Sequence, residues 1–281
     1  MDVRSLLQRH NLRPRKGLGQ NFLIDHNALR KIVDSAEVHP GDAVLEIGAG
    51  LGSLTRMLAF SAATVKAVEI DPHLIAPLHE VVDRFSNVKV VQGDILEIDP
   101  AQLMDEAGYI VVANIPYYIT SAIMRHLLES SSPPSRLVLT VQKEVAERIC
   151  AQPGNLSLLA LSVQVYGNPK ITATLPARAF YPAPNVDSAT LRVDLHSLPF
   201  FNPQQRRVFF TLIHMGFAQK RKTLRNTLAA GLHVSGERAA QLLQSAGIDP
   251  QRRAQELSLV EWKTLVLELG ELLPANSGKT P

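Results

Sequence analysis

A buried strand that runs straight into alternating glycines constrains this chain more than any other stretch. Val44-Leu45-Glu46-Ile47 is an apolar run, Gly48-Ala49-Gly50-Leu51-Gly52 follows without a break, and Ser53 to Leu58 then reads as helical. Glycines so placed let the backbone turn sharply and come closer to a ligand than any Cβ would allow. A glycine turn by itself is often an ordinary loop, and its meaning comes from the next strand. Val65 to Asp71 is a second short apolar strand ending in acids. It lies at the spacing, about twenty residues, at which a βαβ unit offers a carboxylate to ribose hydroxyls. Glu69 is the ribose candidate. A dinucleotide-binding turn reads G-x-G-x-x-G, whereas here Gly52 comes one place early and Ser53 holds the sixth position, which points to a different nucleoside.

With Glu46 included, the pattern E-x-G-x-G-x-G resembles the first motif of the S-adenosylmethionine-dependent methyltransferases. Two further strands deliver polar groups to the same edge, where open α/β sheets bind ligands. Asn87 to Ile95 ends in Gly93-Asp94, whose carboxylate suits an adenine amino group or, alternatively, caps a turn. Tyr109 to Ala113 is apolar enough to be buried and leads into Asn114-Ile115-Pro116-Tyr117. An exocyclic adenine nitrogen is a poor nucleophile because its lone pair is delocalised into the ring. The Asn114 side-chain oxygen and the Ile115 carbonyl are candidate acceptors for its hydrogens, with Pro116 fixing φ so that the two converge. Asn is neutral and cannot serve as base, so the chemistry is orientation plus electrostatic stabilisation, with the proton leaving to solvent. Tyr117 can stack on a flipped base. Phe180, ahead of the proline-fixed loop Tyr181 to Ser188, is either the second face of a base sandwich or a hydrophobic plug.

Composition narrows the alternatives. With 281 residues, 46% of them hydrophobic and 20% charged, the chain can bury a sizeable core. No apolar run approaches the roughly 20 residues of a membrane span, and the basic start has no signal-peptide core, so a cytoplasmic protein without membrane contact is expected. Cys150 is the single cysteine, expected in the core, and the nine histidines show no paired ligand spacing, so no metal is expected. Net charge is +3, but residues 201–281 carry +5 and the rest −2. Lys220, Arg221, Lys222 and Arg225 cluster there, as a phosphate footprint or a solvated helix face.

Arg13 to Asp25 reads as a basic, glycine-broken loop, either a disordered arm or a segment in which Arg13, Arg15 and Lys16 could meet phosphate while Asn21 and the backbone near Leu23 could close over a cofactor. A helix is predicted from His26 to Glu37, capped by Asp25, and others over Thr120 to Ser130 and Gln142 to Cys150, where Glu144 and Arg148 are spaced for an ion pair. Leu137 to Val141 and Ala189 to Leu195 read as strands. From Pro203 on only helical patterns follow: Arg206 to Ala218, Lys222 to Ala230, Gly236 to Ala246 and Val260 to Leu273, with Ala275 to Pro281 as a frayed tail. The domain boundary is placed near 200, giving a catalytic domain over 1–200 and a helical one over 201–281.

Taken in order, Gly19-Gln20-Asn21-Phe22-Leu23, the glycine turn, Glu69, Gly93-Asp94, Asn114 to Tyr117, Gln142 to Ala146 and Phe180 to Ser188 resemble the ribosomal RNA adenine N6-dimethyltransferases of the bacterial small-subunit type. The resemblance spans nearly the whole chain. It implies an α/β, Rossmann-like methyltransferase sheet with a small all-helical C-terminal domain that engages RNA. It implies S-adenosyl-L-methionine as cofactor, held by Asn21, Leu23, Gly48, Gly50, Glu69, Asp94, Ile95 and Asn114. Asn114, Ile115, Pro116, Tyr117 and Phe180 would form the catalytic set, and Arg13, Arg15, Lys16, Lys220, Arg221, Lys222 and Arg225 would meet RNA. The implied substrate is a pair of adjacent adenosines in the 3'-terminal hairpin of 16S rRNA, dimethylated by a monomer within the immature 30S subunit. The segment Asn155 to Ala160 departs from the family, which commonly has a more polar stretch with a tyrosine. Two other readings stand beside this one: an RNA-binding assembly factor whose methyl transfer is dispensable, and a dehydrogenase built on the same βαβ unit.

Overall fold

The computed structural model describes residues 2–105 and 107–270. Strands are β1 (Phe22–Leu23), β2 (Ala43–Ile47), β3 (Thr64–Glu69), β4 (Val88–Gln92), β5 (Ile110–Asn114), β6 (Arg136–Gln142), β7 (Gly167–Leu175), β8 (Phe180–Tyr181) and β9 (Ser188–Leu195). Helices are α1 (Val3–Arg9), α2 (His26–Ala36), α3 (Thr55–Leu58), α4 (Pro72–Val82), α5 (Pro100–Leu103), α6 (Thr120–Leu128), α7 (Lys143–Ile149), α8 (Leu158–Gln164), α9 (Pro203–Phe217), α10 (Leu224–Leu232), α11 (Gly236–Ser245) and α12 (Leu259–Leu269). No helix among the described residues is long and apolar enough to cross a membrane. The frayed tail expected beyond Ala275, and the last residues of the final predicted helix, lie outside the described residues.

Seven strands form one sheet in the order β4-β3-β2-β5-β6-β9-β7. The pairs β4/β3, β3/β2, β2/β5 and β5/β6 are parallel, and β9 runs antiparallel to β6. The chain steps outward from β2 to β4 and then returns, so that β5 pairs with the other edge of β2. A ligand crevice opens at such a reversal, outside the carboxyl ends of the strands. The second sheet is the short antiparallel ladder of β1 and β8, which sets Phe22 opposite Tyr181 and Leu23 opposite Phe180.

The expected α/β architecture forms from its sequence signals. The Asp25 carboxylate accepts from the Ala28 amide at 2.8 Å and starts α2 as predicted. Leu29 and Ile32 of α2 pack with Val44, Val65, Val112 and Val138 of the sheet, and full burial contributes roughly 1.5 to 3 kcal/mol for each such side chain. The start of the chain adds a helix that the sequence reading did not predict: Asp2 caps α1, and Val3, Leu6 and Leu7 bury against Phe22, Leu51 and Leu74. Strand β7 escapes the alternation rule because it is an edge strand with most side chains exposed, and an edge tolerates Pro169. On α7 the ion pair is Lys143 with Glu147 at 3.8 Å rather than Glu144 with Arg148. Cys150 is half-buried rather than a core residue.

The chain divides into two compact units. One runs to Glu147 and resumes over Asn168–Ser197; the other holds Arg148–Gly167 and the described residues from Leu198 onward. The boundary near 200 therefore needs a correction, since 148–167 packs with the helical unit. Leu156, Ala160, Leu161 and Val165 share a core with Phe209, Leu212, Leu243, Trp262 and Leu265. The apolar run that departs from the family pattern serves this core. In the same unit α9 begins with a reciprocal capping box between Asn202 and Gln205.

Candidate functional site: the carboxyl edge of strands β2, β3, β4 and β5

Four sequence motifs meet at this edge. Gly48, Gly50 and Gly52 adopt φ of +74°, +57° and +78°, a region that L side chains rarely enter. Gly52 has a packing reason as well: a Cβ there would come within 3.0 Å of Leu78 and 3.1 Å of Val81 on α4. A Cβ on Gly48 would stand 3.4 Å from the Asn114 carbonyl oxygen, which shows how closely the glycine turn approaches the end of β5.

The Glu69 carboxylate is 4% exposed and held from two sides. Its Oε2 accepts from the Gly50 amide at 2.7 Å and its Oε1 from the Asp71 amide at 2.8 Å. Each oxygen keeps acceptor capacity beyond these bonds. Burial raises the Glu69 pKa, and the two amides work against that rise by favouring the charged form. Gly93 donates its amide to the Glu69 carbonyl at 3.0 Å, which sets Asp94 beside the end of β3. One Asp94 oxygen caps a turn by accepting from Leu96 at 2.9 Å, and the other keeps its acceptor capacity. Deeper in β2, burial pushes the Glu46 carboxyl up to about 8, so it is protonated at neutral pH and supports the turn rather than a ligand's charge.

The segment before β1 ties the two halves of the crevice together. Asp71 is 2% exposed and receives the Arg15 guanidinium at 3.2 Å and the Gln20 amide at 2.8 Å. The Asn114 amide nitrogen donates to the Asn21 carbonyl at 3.2 Å, which leaves its Oδ1 as the acceptor. Gly19, at φ +59°, faces Pro116 and the Tyr118 ring. Sequence reading missed Gln20 and Asp71 as parts of this arrangement; the strand-ending E-x-D pair was the available signal.

Burial sorts the remaining expected site residues. Leu23 and Ile95 have buried side chains, so only their main chains can face a ligand. The same holds for Ile115. Phe180 is 2% exposed and packs with Leu23, Leu29 and Leu175, so the plug reading replaces the base-sandwich one. Arg15 is paired with Asp71 while its side chain stays 47% exposed. Arg13 and Lys16 are exposed, and Lys220, Arg221 and Lys222 occupy an exposed turn between α9 and α10 rather than a helix face.

Residues 11–271 match the family described as "Ribosomal RNA adenine dimethylase". The chain belongs to this family. Among its curated relatives is "Ribosomal RNA small subunit methyltransferase A" of Dehalococcoides mccartyi strain 195, 44% identical over 266 residues, covering 94% of this chain and 91% of the relative. The same-named protein of Streptococcus agalactiae is 42% identical and covers 96% of this chain and 97% of that one. Among solved structures, the 23S rRNA methyltransferase ErmE matches at TM-score 0.74 and 28% identity over 89% of this chain and 99% of that one. A dimethyladenosine transferase from Plasmodium falciparum has the same fold, at TM-score 0.79, 24% identity and coverage of 89% and 98%. A ribosomal RNA adenine dimethylase is an S-adenosylmethionine-dependent methyltransferase, and the residues at this edge fit that cofactor. Left-handed glycines open the backbone, a buried carboxylate held by two amides suits ribose hydroxyls, and Asp94 keeps an acceptor for the adenine amino group.

Proposed function

We propose that this ribosomal RNA adenine dimethylase methylates N6 of two adjacent adenosines in the 3'-terminal hairpin of 16S rRNA, within the immature 30S subunit, acting as a cytoplasmic monomer. The Asn114 amide supports the reading most directly. Its nitrogen is committed to the Asn21 carbonyl at 3.2 Å, so its oxygen is the group left to accept from an adenine amino group. S-adenosyl-L-methionine, when bound, supplies an electrophilic methyl group on a sulfonium. Glu69, Asp94, the main chain of the glycine turn and the Asn21 to Leu23 segment would hold it. Asn114 Oδ1 and the Ile115 carbonyl accept the two amino hydrogens and turn the nitrogen lone pair toward the methyl group, with Pro116 at φ −58° keeping both acceptors in place. Tyr117 stacks on the base. No side chain on this edge is required as a base, because the methylated nitrogen is acidic enough to release its proton to water. Mass spectrometry of 16S rRNA from cells with and without the protein tests this: dimethyladenosine should vanish in its absence, and unchanged modification would overturn the reading.

The basic turn between α9 and α10 extends the proposal to RNA binding. Replacing Lys220, Arg221 and Lys222 together with Ala should weaken binding to 30S precursors. It should also reduce the salt slope by about 0.7 to 0.9 for each phosphate that is no longer neutralised. Cofactor affinity should be unaffected. A full salt slope in the triple variant would reduce the cluster to a solvated turn.

A further inference from the structure

Tyr117 opens a short 3-10 turn, Tyr117–Ile119, immediately after Pro116. Its neighbour Tyr118 is 67% exposed, and that hydroxyl has no hydrogen-bond partner among the described residues. Tyr117 differs. Its hydroxyl lies 2.7 Å from the Ser188 hydroxyl, and Ser188 is fully buried at the start of β9. Ser188 is itself fixed, because it pairs in register with Gln142 of β6. The preceding Asp187 is held at both ends: its carboxylate accepts from the Ala177 amide at 2.9 Å and its carbonyl from the Lys143 amide at 3.1 Å. The far end of an aromatic ring on a surface turn is thus tied to a rigid sheet strand.

We propose that Ser188 is a positioning residue for methyl transfer: its hydroxyl anchors the Tyr117 hydroxyl and thereby fixes the plane of the ring on which the target adenine stacks. This rests on the proposed stacking role of Tyr117. With Phe180 in the core, the stacking surface in this reading is the Tyr117 ring, so its tilt decides whether the amino group reaches Asn114. Burial raises the Tyr117 pKa, so the phenol stays neutral and either oxygen of the pair can donate. The link also explains why the loop ending in Val186-Asp187-Ser188 belongs with the catalytic motifs although Phe180 itself is core.

Single-turnover methyl transfer to small-subunit particles at saturating S-adenosylmethionine tests the anchor. A neutral hydrogen bond at the upper end of the usual range corresponds to a roughly five- to tenfold change in rate. Tyr117→Phe and Ser188→Ala should each slow the reaction by that factor while cofactor affinity, read by calorimetry, stays at the wild-type value. Both remove the same bond, so the double variant should be no slower than the slower single one. A purely structural role for Ser188 would leave Tyr117→Phe as fast as wild type and would overturn the proposal, as would effects that multiply in the double variant. Tyr117→Ala separates the layers. If it too is as fast as wild type, the stacking reading fails; if it is slow while Tyr117→Phe is fast, the ring matters and the anchor does not.

Discussion

Replacing Asn114 with Ala is expected to leave a folded protein that still binds RNA but transfers methyl groups about 10² to 10³ more slowly, the usual consequence of deleting one preorganised polar contact. The substitution deletes the Oδ1 acceptor, and with it goes the bond to the Asn21 carbonyl. A neutral hydrogen bond of that kind contributes only about 0.5 to 1.5 kcal/mol net, so the fold should survive. Some loss of cofactor affinity should accompany it, since the bond helps to hold the Asn21 segment across the crevice. Rates should therefore be measured in single turnovers on 30S particles at saturating cofactor, beside growth of cells that carry only the variant. A rate within about threefold of wild type would correspond to at most about 0.7 kcal/mol, far below the effect of a preorganised catalytic contact, and would sink the proposed role. Lost methylation with normal ribosome maturation would keep the enzyme and show that any assembly role is independent of the chemistry.

Substitution of Glu69 should act at the other end of the crevice and at two levels. The lost charge-assisted bonds to ribose hydroxyls are each worth roughly 1.5 to 3 kcal/mol, so Glu69→Ala should bind S-adenosylmethionine at least about tenfold more weakly. It also strips the Gly50 and Asp71 amides of their acceptors, and an unsatisfied buried donor costs about 1 to 3 kcal/mol. Melting temperature should therefore fall together with affinity. Glu69→Gln keeps the size and one carbonyl acceptor while turning an amide donor toward one of the two N–H groups, so it should lose affinity with a smaller drop in stability. Because burial raises the Glu69 pKa, wild-type affinity should weaken on acidification at a higher pH than an exposed glutamate would give. Calorimetry decides it. Unchanged affinity in a folded Glu69→Gln protein would remove this residue from the site, and tighter binding of NAD than of the sulfonium cofactor would revive the dehydrogenase reading.

The parts of this protein that were legible in sequence are those governed by local rules. Alternating glycines after an apolar run, an acid at the end of the next strand, and Asn-x-Pro-Tyr after a third each state their own backbone requirement, and the structure brings them to one edge. What stayed hidden depends on long-range packing. Nothing local to Phe180 distinguishes a ring waiting for a base from one packed on Leu29, and nothing local to Arg15 shows that a buried acid 56 positions away will claim it. The helix α1 is a different case, since Val3, Leu6 and Leu7 at helical spacing behind Asp2 were readable and were obscured by the basic residues around them. The segment 148–167 misled for a third reason: an apolar run such as Leu156 to Val165 demands cover, and a pattern cannot name the core that covers it.

The excursion of 148–167 into the helical unit has a consequence for anyone dividing the gene. The polypeptide crosses between the units three times, near 147, 167 and 197, so no single cut yields two self-sufficient products. A fragment ending at residue 200 would keep Leu156, Leu161 and Val165 but lose Phe209, Trp262 and Leu265, the neighbours that shield them, and should be recovered as aggregate. A cleaner dissection removes 148–167 together with the C-terminal part and joins 147 to 168 through a short flexible insert. By the same logic, recombination that exchanges the C-terminal part between relatives at one breakpoint inherits mismatched halves of a single core, whereas exchange at all three crossings carries the core intact.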